Sequence, residues 1–168
     1  MIQKKVCMVG VAGAGKTSLV QWFVQSIFSD KYHSTVGVKI DRKTVAVDGT
    51  DVSLLLWDLA GRSGDADISV SYVRGAHGIL YVVDGTRRET SEQIFELRDM
   101  VRGAIGDVPS ALALNKIVLA DQWALTDDDE TKLAGEAFHL VRTSAKSGAG
   151  VEAAFSWLAA ATLGATRA

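Results

Sequence analysis

The sequence predicts an α/β protein built on a doubly wound, mostly parallel sheet, with one antiparallel edge hairpin and helices on both faces. Three observations predict it. Apolar runs of strand length alternate with segments whose apolar residues recur at helical spacing. Two of those runs, 79–83 (ILYVV) and 110–114 (SALAL), are apolar almost throughout, as strands covered on both faces are. The turn dipeptide Asp48-Gly49 separates two β-rich arms, which marks a hairpin.

In chain order, residues 5–9 read as a short buried strand and Gly10 to Gly15 as a glycine-rich loop. Residues 17–28 read as a helix with Leu19, Val20, Phe23, Val24 and Ile27 on one face. The hairpin arms are 38–47 and 52–57, the second ending at Asp58. After strand 79–83, Ile94, Leu97, Val101 and Ile105 share a helical face, with Arg87-Arg88-Glu89 capping and solvating its start. Beyond strand 110–114, a helix begins near Thr126, whose cap and acidic run Asp127-Asp128-Asp129-Glu130 suit a helix N-terminus. That run lacks the alternate spacing and glycine of a Ca²⁺ loop. A strand at 139–142 and an amphipathic helix at 151–163 complete the pattern.

A length of 168 residues suits one domain spanning 1–168. With 23% charged and 48% hydrophobic residues and a single proline, the composition is that of a folded chain without disordered linkers. The net charge of −2 gives no broad electrostatic reason to expect nucleic acid or an acidic membrane as partner. Cys7, the lone cysteine, lies in an apolar strand run and reads as a small buried hydrophobe. His33, His77 and His139 are scattered without metal-ligand spacing. There is no signal-peptide run, no glycine at position 2, no cysteine near the end and no apolar stretch of transmembrane length, so no intrinsic membrane anchor and a cytoplasmic location are expected.

The chemistry starts at Gly10-Val11-Ala12-Gly13-Ala14-Gly15-Lys16-Thr17, which matches G-x-x-x-x-G-K-[ST] between a strand and a helix, the context that gives this spacing weight. Glycines let successive N–H groups turn inward around phosphates, and the helix N-terminus, where Ser18 follows, adds its positive end. Lys16 then neutralises β/γ oxygens and the Thr17 hydroxyl suits Mg²⁺.

With that loop in place, the segment from Phe28 through Thr35 to Val38 resembles the first switch of Rab-family small GTPases, Trp57-Asp58-Leu59-Ala60-Gly61 resembles their W-D-x-A-G, and Thr143-Ser144-Ala145-Lys146 resembles their S-A-K loop. The resemblance runs from Lys4 to about Leu158 and implies a Ras/Rab-like P-loop small-GTPase fold of six strands, binding GTP/GDP with Mg²⁺ and meeting a protein partner through its switch regions. It implies that Thr35 and Asp58 join Thr17 at the metal, that Gly61 offers its N–H to the γ-phosphate, and that Phe28 packs against the guanine, although a lone Phe at a helix end is also common core. Asn115 and Lys116 would brace the phosphate loop and cover the base, with Ser144, Ala145 and Lys146 contacting it.

The chain departs from the family pattern at two functional positions. Arg62 follows Gly61 where a glutamine is usual, and a guanidinium has no acceptor with which to orient a water, so hydrolysis is expected to be slow. The competing reading makes Arg62 a cis arginine finger on the γ-phosphate. In Asn115-Lys116-Ile117-Val118, Val118 replaces the aspartate of N-K-x-D, removing a bidentate acceptor for guanine, and Asp121 lies too far on to substitute. Ala12 adds a methyl beside the γ-phosphate position.

Three readings follow: a GTP-binding switch with slow hydrolysis, a pseudo-GTPase scaffold presenting Val38, Trp57 and Tyr72 to a protein partner, and an ATP-using kinase, for which no Arg-rich lid segment is present.

Overall fold

The computed structural model describes residues 2–29, 35–64, 66–135 and 138–167, the side chains of 165–167 excepted. Within the first switch segment, Asp30 to Ser34, including His33, lie outside the described residues, as does Asp65 after the second.

Alternation along the first strand sets the architecture. In β1 (Ile2–Gly10), Val6 and Met8 belong to the core on one sheet face, and Cys7 and Val9 to the core on the other. A strand apolar on both sides needs cover on both sides. The first core is closed by α1 (Lys16–Gln25) and α4 (Val151–Arg167), with Phe23 stacked on Phe155 at a centroid distance of 4.2 Å. The second is closed by α2 (Arg88–Ile105) through Ile94, Leu97 and Val101, and by Leu133 of α3 (Asp127–Gly135).

β1 lies inside a six-stranded sheet of order β2-β3-β1-β4-β5-β6, with β2 (Val38–Val47), β3 (Thr50–Leu59), β4 (Gly78–Asp84), β5 (Ser110–Asn115) and β6 (His139–Arg142). β2 and β3 pair antiparallel, and the remaining pairs are parallel. The hairpin turns through Asp48 and Gly49, both at positive φ (48° and 79°), which matches the twist of the two arms. This is the predicted class, with helices on both faces and one antiparallel edge strand.

Several boundaries differ from expectation: β3 runs from Thr50 to Leu59 and α4 continues to Arg167, both longer than their apolar patterns, and two further differences have a visible cause. β1 begins at Ile2, three residues early, because Gln3, Lys4 and Lys5 pair in register with Ser53, Leu54 and Leu55, and a ladder does not require apolar side chains. α1 stops at Gln25, because Ser26 takes a left-handed conformation (φ 55°) and its N–H caps Trp22 O. Ile27, expected on the buried helix face, is therefore 51% exposed. α3 starts as expected: Thr126 Oγ1 accepts from Asp129 N–H (3.1 Å) while an Asp129 carboxylate oxygen accepts from Thr126 N–H (2.9 Å), a reciprocal capping box.

Parallel register gathers the chemistry at one edge. Gly10 pairs with Val82, Met8 with Asp58 and Asp84 with Asn115, so the glycine-rich loop, Asp58, Asp84 and Asn115 all emerge at the carboxyl ends of neighbouring strands. No helix among the described residues is long and apolar enough to cross a membrane.

Candidate functional site: a phosphate-type cleft and an adjoining hollow

The glycine-rich loop curls between β1 and α1 with Gly13 and Gly15 at φ 77° and 110°, values an L side chain rarely adopts. At Gly15 a Cβ would also lie 2.2 Å from Asn115 Nδ2, which shows how closely β5 presses on the loop. The loop borders a cleft of about 520 Å³ whose walls include Ala12, Gly13, Gly15, Lys16, Thr17, Ser18, Phe28, Thr35, Gly61 and Lys116. A smaller hollow of about 200 Å³ shares Gly15, Ser18, Phe28 and Lys116 with it and adds Asn115, Val118, Ser144, Ala145 and Lys146. Phe28 is therefore a wall of both cavities, 38% exposed, and not a core residue. Gly10 and Ala14 line neither: Gly10 ends β1 with its carbonyl accepting from Arg62 N–H at 3.1 Å, and Ala14 is fully buried behind the loop.

Lys16 is 5% exposed, and its Nζ donates to Val11 O at 3.0 Å. Burial pushes its ammonium down to about 8, against an opposing pull from Asp58. A buried ammonium with three donors, one of them given to a loop carbonyl, on the wall of a cleft rimmed by glycines, is chemically suited to an anion. Gly61 faces it so closely that a Cβ there would meet Lys16 Nζ and Ala12 N at 2.5 Å. Only glycine lets the two segments approach this far.

Three oxygen-bearing side chains converge beside Lys16. Thr17 Oγ1 donates to Asp58 Oδ2 at 2.5 Å, the hydroxyls of Thr17 and Thr35 are 2.8 Å apart, and Thr35 Oγ1 is 3.4 Å from the same Oδ2. Asp58 is 1% exposed, and its other oxygen, Oδ1, is buried with no hydrogen-bond partner among the described residues. Burial pushes the Asp58 carboxyl above its ordinary range, with Thr17 and Lys16 pulling it the other way. An oxygen-only donor set with an unsatisfied buried carboxylate oxygen fits a small hard cation such as Mg²⁺.

Asn115 is 2% exposed and spans from Ala14 O (Nδ2, 3.0 Å) to the Thr143 hydroxyl (Oδ1, 3.0 Å), tying the phosphate-type loop to the Ser144–Lys146 turn. Val118, 46% exposed, presents an apolar side chain at the hollow's wall.

Arg62 lines neither cavity. Its Nε and Nη2 donate to the two carboxylate oxygens of Asp67 at 3.0 Å each, and Nη1 donates to Glu96 of α2 at 2.8 Å. Its backbone, by contrast, joins the loop: Ala12 N–H donates to Arg62 O at 2.9 Å. Val38, Trp57 and Tyr72 are half-buried, with the Trp57 and Tyr72 rings 6.4 Å apart and Lys5 Nζ 3.6 Å over the indole.

Sequence reading missed Arg87 and Asp84. Arg87 was expected, with Arg88 and Glu89, to cap and solvate a helix start, but its side chain makes no cap hydrogen bond and its Nη2 donates to Ala12 O at 2.9 Å. Asp84, 0% exposed, accepts from Arg87 and Lys116; burial pushes its carboxyl up, but the Lys116 and Thr86 hydrogen bonds outweigh this and hold it below the ordinary range. The charge of Asp84 at the end of an all-apolar strand was the available signal.

A mostly parallel sheet with a glycine-rich loop, a buried lysine and an oxygen cluster at one edge defines a P-loop α/β protein. The Ras family model matches residues 5–163. The chain is 36% identical over 160 residues to Ras-related protein Rab-1 of Theileria parva, covering 94% of this chain and 73% of that one. It is 35% identical over 157 residues to Ras-related protein RIC1 of Oryza sativa subsp. japonica (92% and 78% covered) and 34% identical over 157 residues to Ras-related protein Rab-8B of Homo sapiens (92% and 76%). The chain belongs to the Ras family and is a Ras/Rab-like small GTPase.

Proposed function

We propose that this chain is a GTP/GDP-binding molecular switch with slow intrinsic hydrolysis, acting as one domain through a protein partner on its switch face. The observation that carries the reading is the convergence of Lys16, the glycine-rich loop and the Thr17–Thr35–Asp58 oxygen cluster on one cleft. Loop N–H groups and Lys16 would hold the phosphates, and the adjoining hollow, walled by Phe28, Lys116 and Ala145, would take the base. Thr17, Thr35 and Asp58 would hold Mg²⁺, which when bound neutralises charge on the β and γ oxygens. Thr35 sits on the segment that a γ-phosphate would order, so loss of that phosphate would release it.

Slow hydrolysis is supported by Arg62. Its guanidinium is committed to Asp67 and Glu96, which argues against the arginine-finger reading, and it offers no acceptor to orient a water. Membership of the Ras family supports guanine as the base and a protein as the partner, and the half-buried Val38, Trp57 and Tyr72, the last two with rings 6.4 Å apart, support where that partner docks.

Val118 favours a second reading, a pseudo-GTPase scaffold with weak or no nucleotide binding, because an apolar wall leaves guanine donors unpaired. The test is binding of fluorescent GTP, GDP and ATP to the purified protein with Mg²⁺, with Lys16→Ala as control. Submicromolar, Lys16-dependent binding of guanine nucleotides supports the switch. No binding near millimolar concentration would sink it and leave the scaffold.

A further inference from the structure

Four consecutive carbonyls of the phosphate-type loop are each taken by a side-chain donor. Lys16 Nζ donates to Val11 O (3.0 Å), Arg87 Nη2 to Ala12 O (2.9 Å), Lys116 Nζ to Gly13 O (3.3 Å) and Asn115 Nδ2 to Ala14 O (3.0 Å). Two of these donors share an anchor. Asp84 Oδ2 accepts from Arg87 Nε at 3.1 Å and from Lys116 Nζ at 2.8 Å, while Oδ1 accepts from the Thr86 N–H and hydroxyl at 2.9 and 2.6 Å.

The arrangement has a consequence for the loop amides. In a glycine-rich segment the peptide planes rotate easily, and each rotation swings an N–H away from the concave side as its carbonyl swings in. Pinning the carbonyls, by Lys16 and Lys116 from the cleft wall and by Arg87 from outside it, removes that freedom before any anion arrives, so less ordering is left for binding to accomplish. Arg87 lines neither cavity and, among the described residues, meets the loop by its hydrogen bond to Ala12 O, so it acts from outside the cleft. Its guanidinium suits the task because Nε and Nη2 point along one edge and reach Asp84 and the carbonyl together. Lys116 meanwhile walls both cavities, so the buried Asp84 carboxylate links the loop to the hollow beside it.

We propose that Arg87, anchored by the buried Asp84, is a positioning residue that holds the Ala12 carbonyl so that the loop's N–H groups stay turned toward a nucleotide's phosphates. The inference rests on the phosphate-site reading above. It is distinct from charge on the phosphates themselves, which Arg87 does not approach from inside the cleft.

The test compares wild type, Arg87→Ala, Arg87→Lys and Lys16→Ala. Two readouts are taken: release of fluorescent GDP and GTP, and amide hydrogen exchange across residues 11–16 in nucleotide-free protein. Arg87 is partly exposed (36% of its side chain), and Asp84 keeps its Thr86 and Lys116 hydrogen bonds without it, so the fold should persist in Arg87→Ala. The expected result is release about tenfold faster for both nucleotides in Arg87→Ala, with faster exchange confined to the loop, unchanged exchange in α4, and partial recovery in Arg87→Lys. If wild type binds in a Lys16-dependent way and Arg87→Ala changes neither release nor loop exchange, the inference is overturned and the phosphate-site reading stands. A uniform rise in exchange with a lowered melting temperature would also overturn it, as the mark of a merely structural residue. If wild type binds no nucleotide, the phosphate-site reading falls, and the inference falls with it.

Discussion

Arg62 and Asp67 form a two-pronged pair, with Nε and Nη2 each 3.0 Å from a different carboxylate oxygen, and this pair turns the guanidinium out of the cleft while its backbone stays hydrogen-bonded to Gly10 and Ala12. Backbone and side chain of one residue thus face opposite ways.

Replacing Arg62 by Gln should raise single-turnover GTP hydrolysis at least about tenfold, because an amide both donates and accepts and is free of the acidic pair. The Asp67 and Glu96 carboxylates that Arg62 pairs with are exposed, although its own side chain is 16% exposed, so loss of the pairs should cost about 1 kcal/mol and move the melting temperature by only a few degrees. Unchanged hydrolysis with unchanged binding would show that something other than water positioning limits the step.

Val118→Asp should tighten GTP and GDP about tenfold to a hundredfold and leave ATP unchanged, since a carboxylate at the hollow's wall accepts from the guanine N1–H and amino group. Competition titration of the three nucleotides against wild type and variant reads this directly. Equal tightening of ATP would count against guanine recognition in the hollow.

Chelation of Mg²⁺ should speed GDP release about tenfold in wild type and have little further effect in Asp58→Ala. Stopped-flow release with and without chelator separates the two. A wild-type protein indifferent to chelation would argue that the Thr17–Thr35–Asp58 oxygens hold no cation.

Phe155→Ala should cost about 3–5 kcal/mol, because it empties the stacked contact with Phe23 that joins α4 to α1 under the sheet. For a chain of this size that is a fall of roughly 6–20 °C in melting temperature, measurable by calorimetry. A fall of only a degree or two would mean that the core closes over the void.

Much of the site was legible because its parts are local. Gly10 to Thr17 declare themselves by spacing between a strand and a helix, and Asp58 by its place at the end of a hairpin arm. The end of α1 was not legible: Val24 and Ile27 continue the helical period, and the left-handed turn at Ser26 that breaks it is a backbone choice the period does not report. Arg87 escaped for a different reason. In sequence it belongs to a run of charges at a helix start, a pattern usually explained by solvation.

The sequence by itself determined the alternation of strands and helices, the glycine-rich loop and the residue types at the switch positions, since each depends on neighbours within a few residues or on a repeating period. Only the tertiary structure decided which charges meet. Arg62 finds Glu96 across 34 residues because α2 packs over the sheet, and Arg87 finds Ala12 across 75 because parallel register brings the ends of β1 and β4 together whatever their separation along the chain. A guanidinium goes to the acceptor that folding places beside it, and no local pattern encodes that distance.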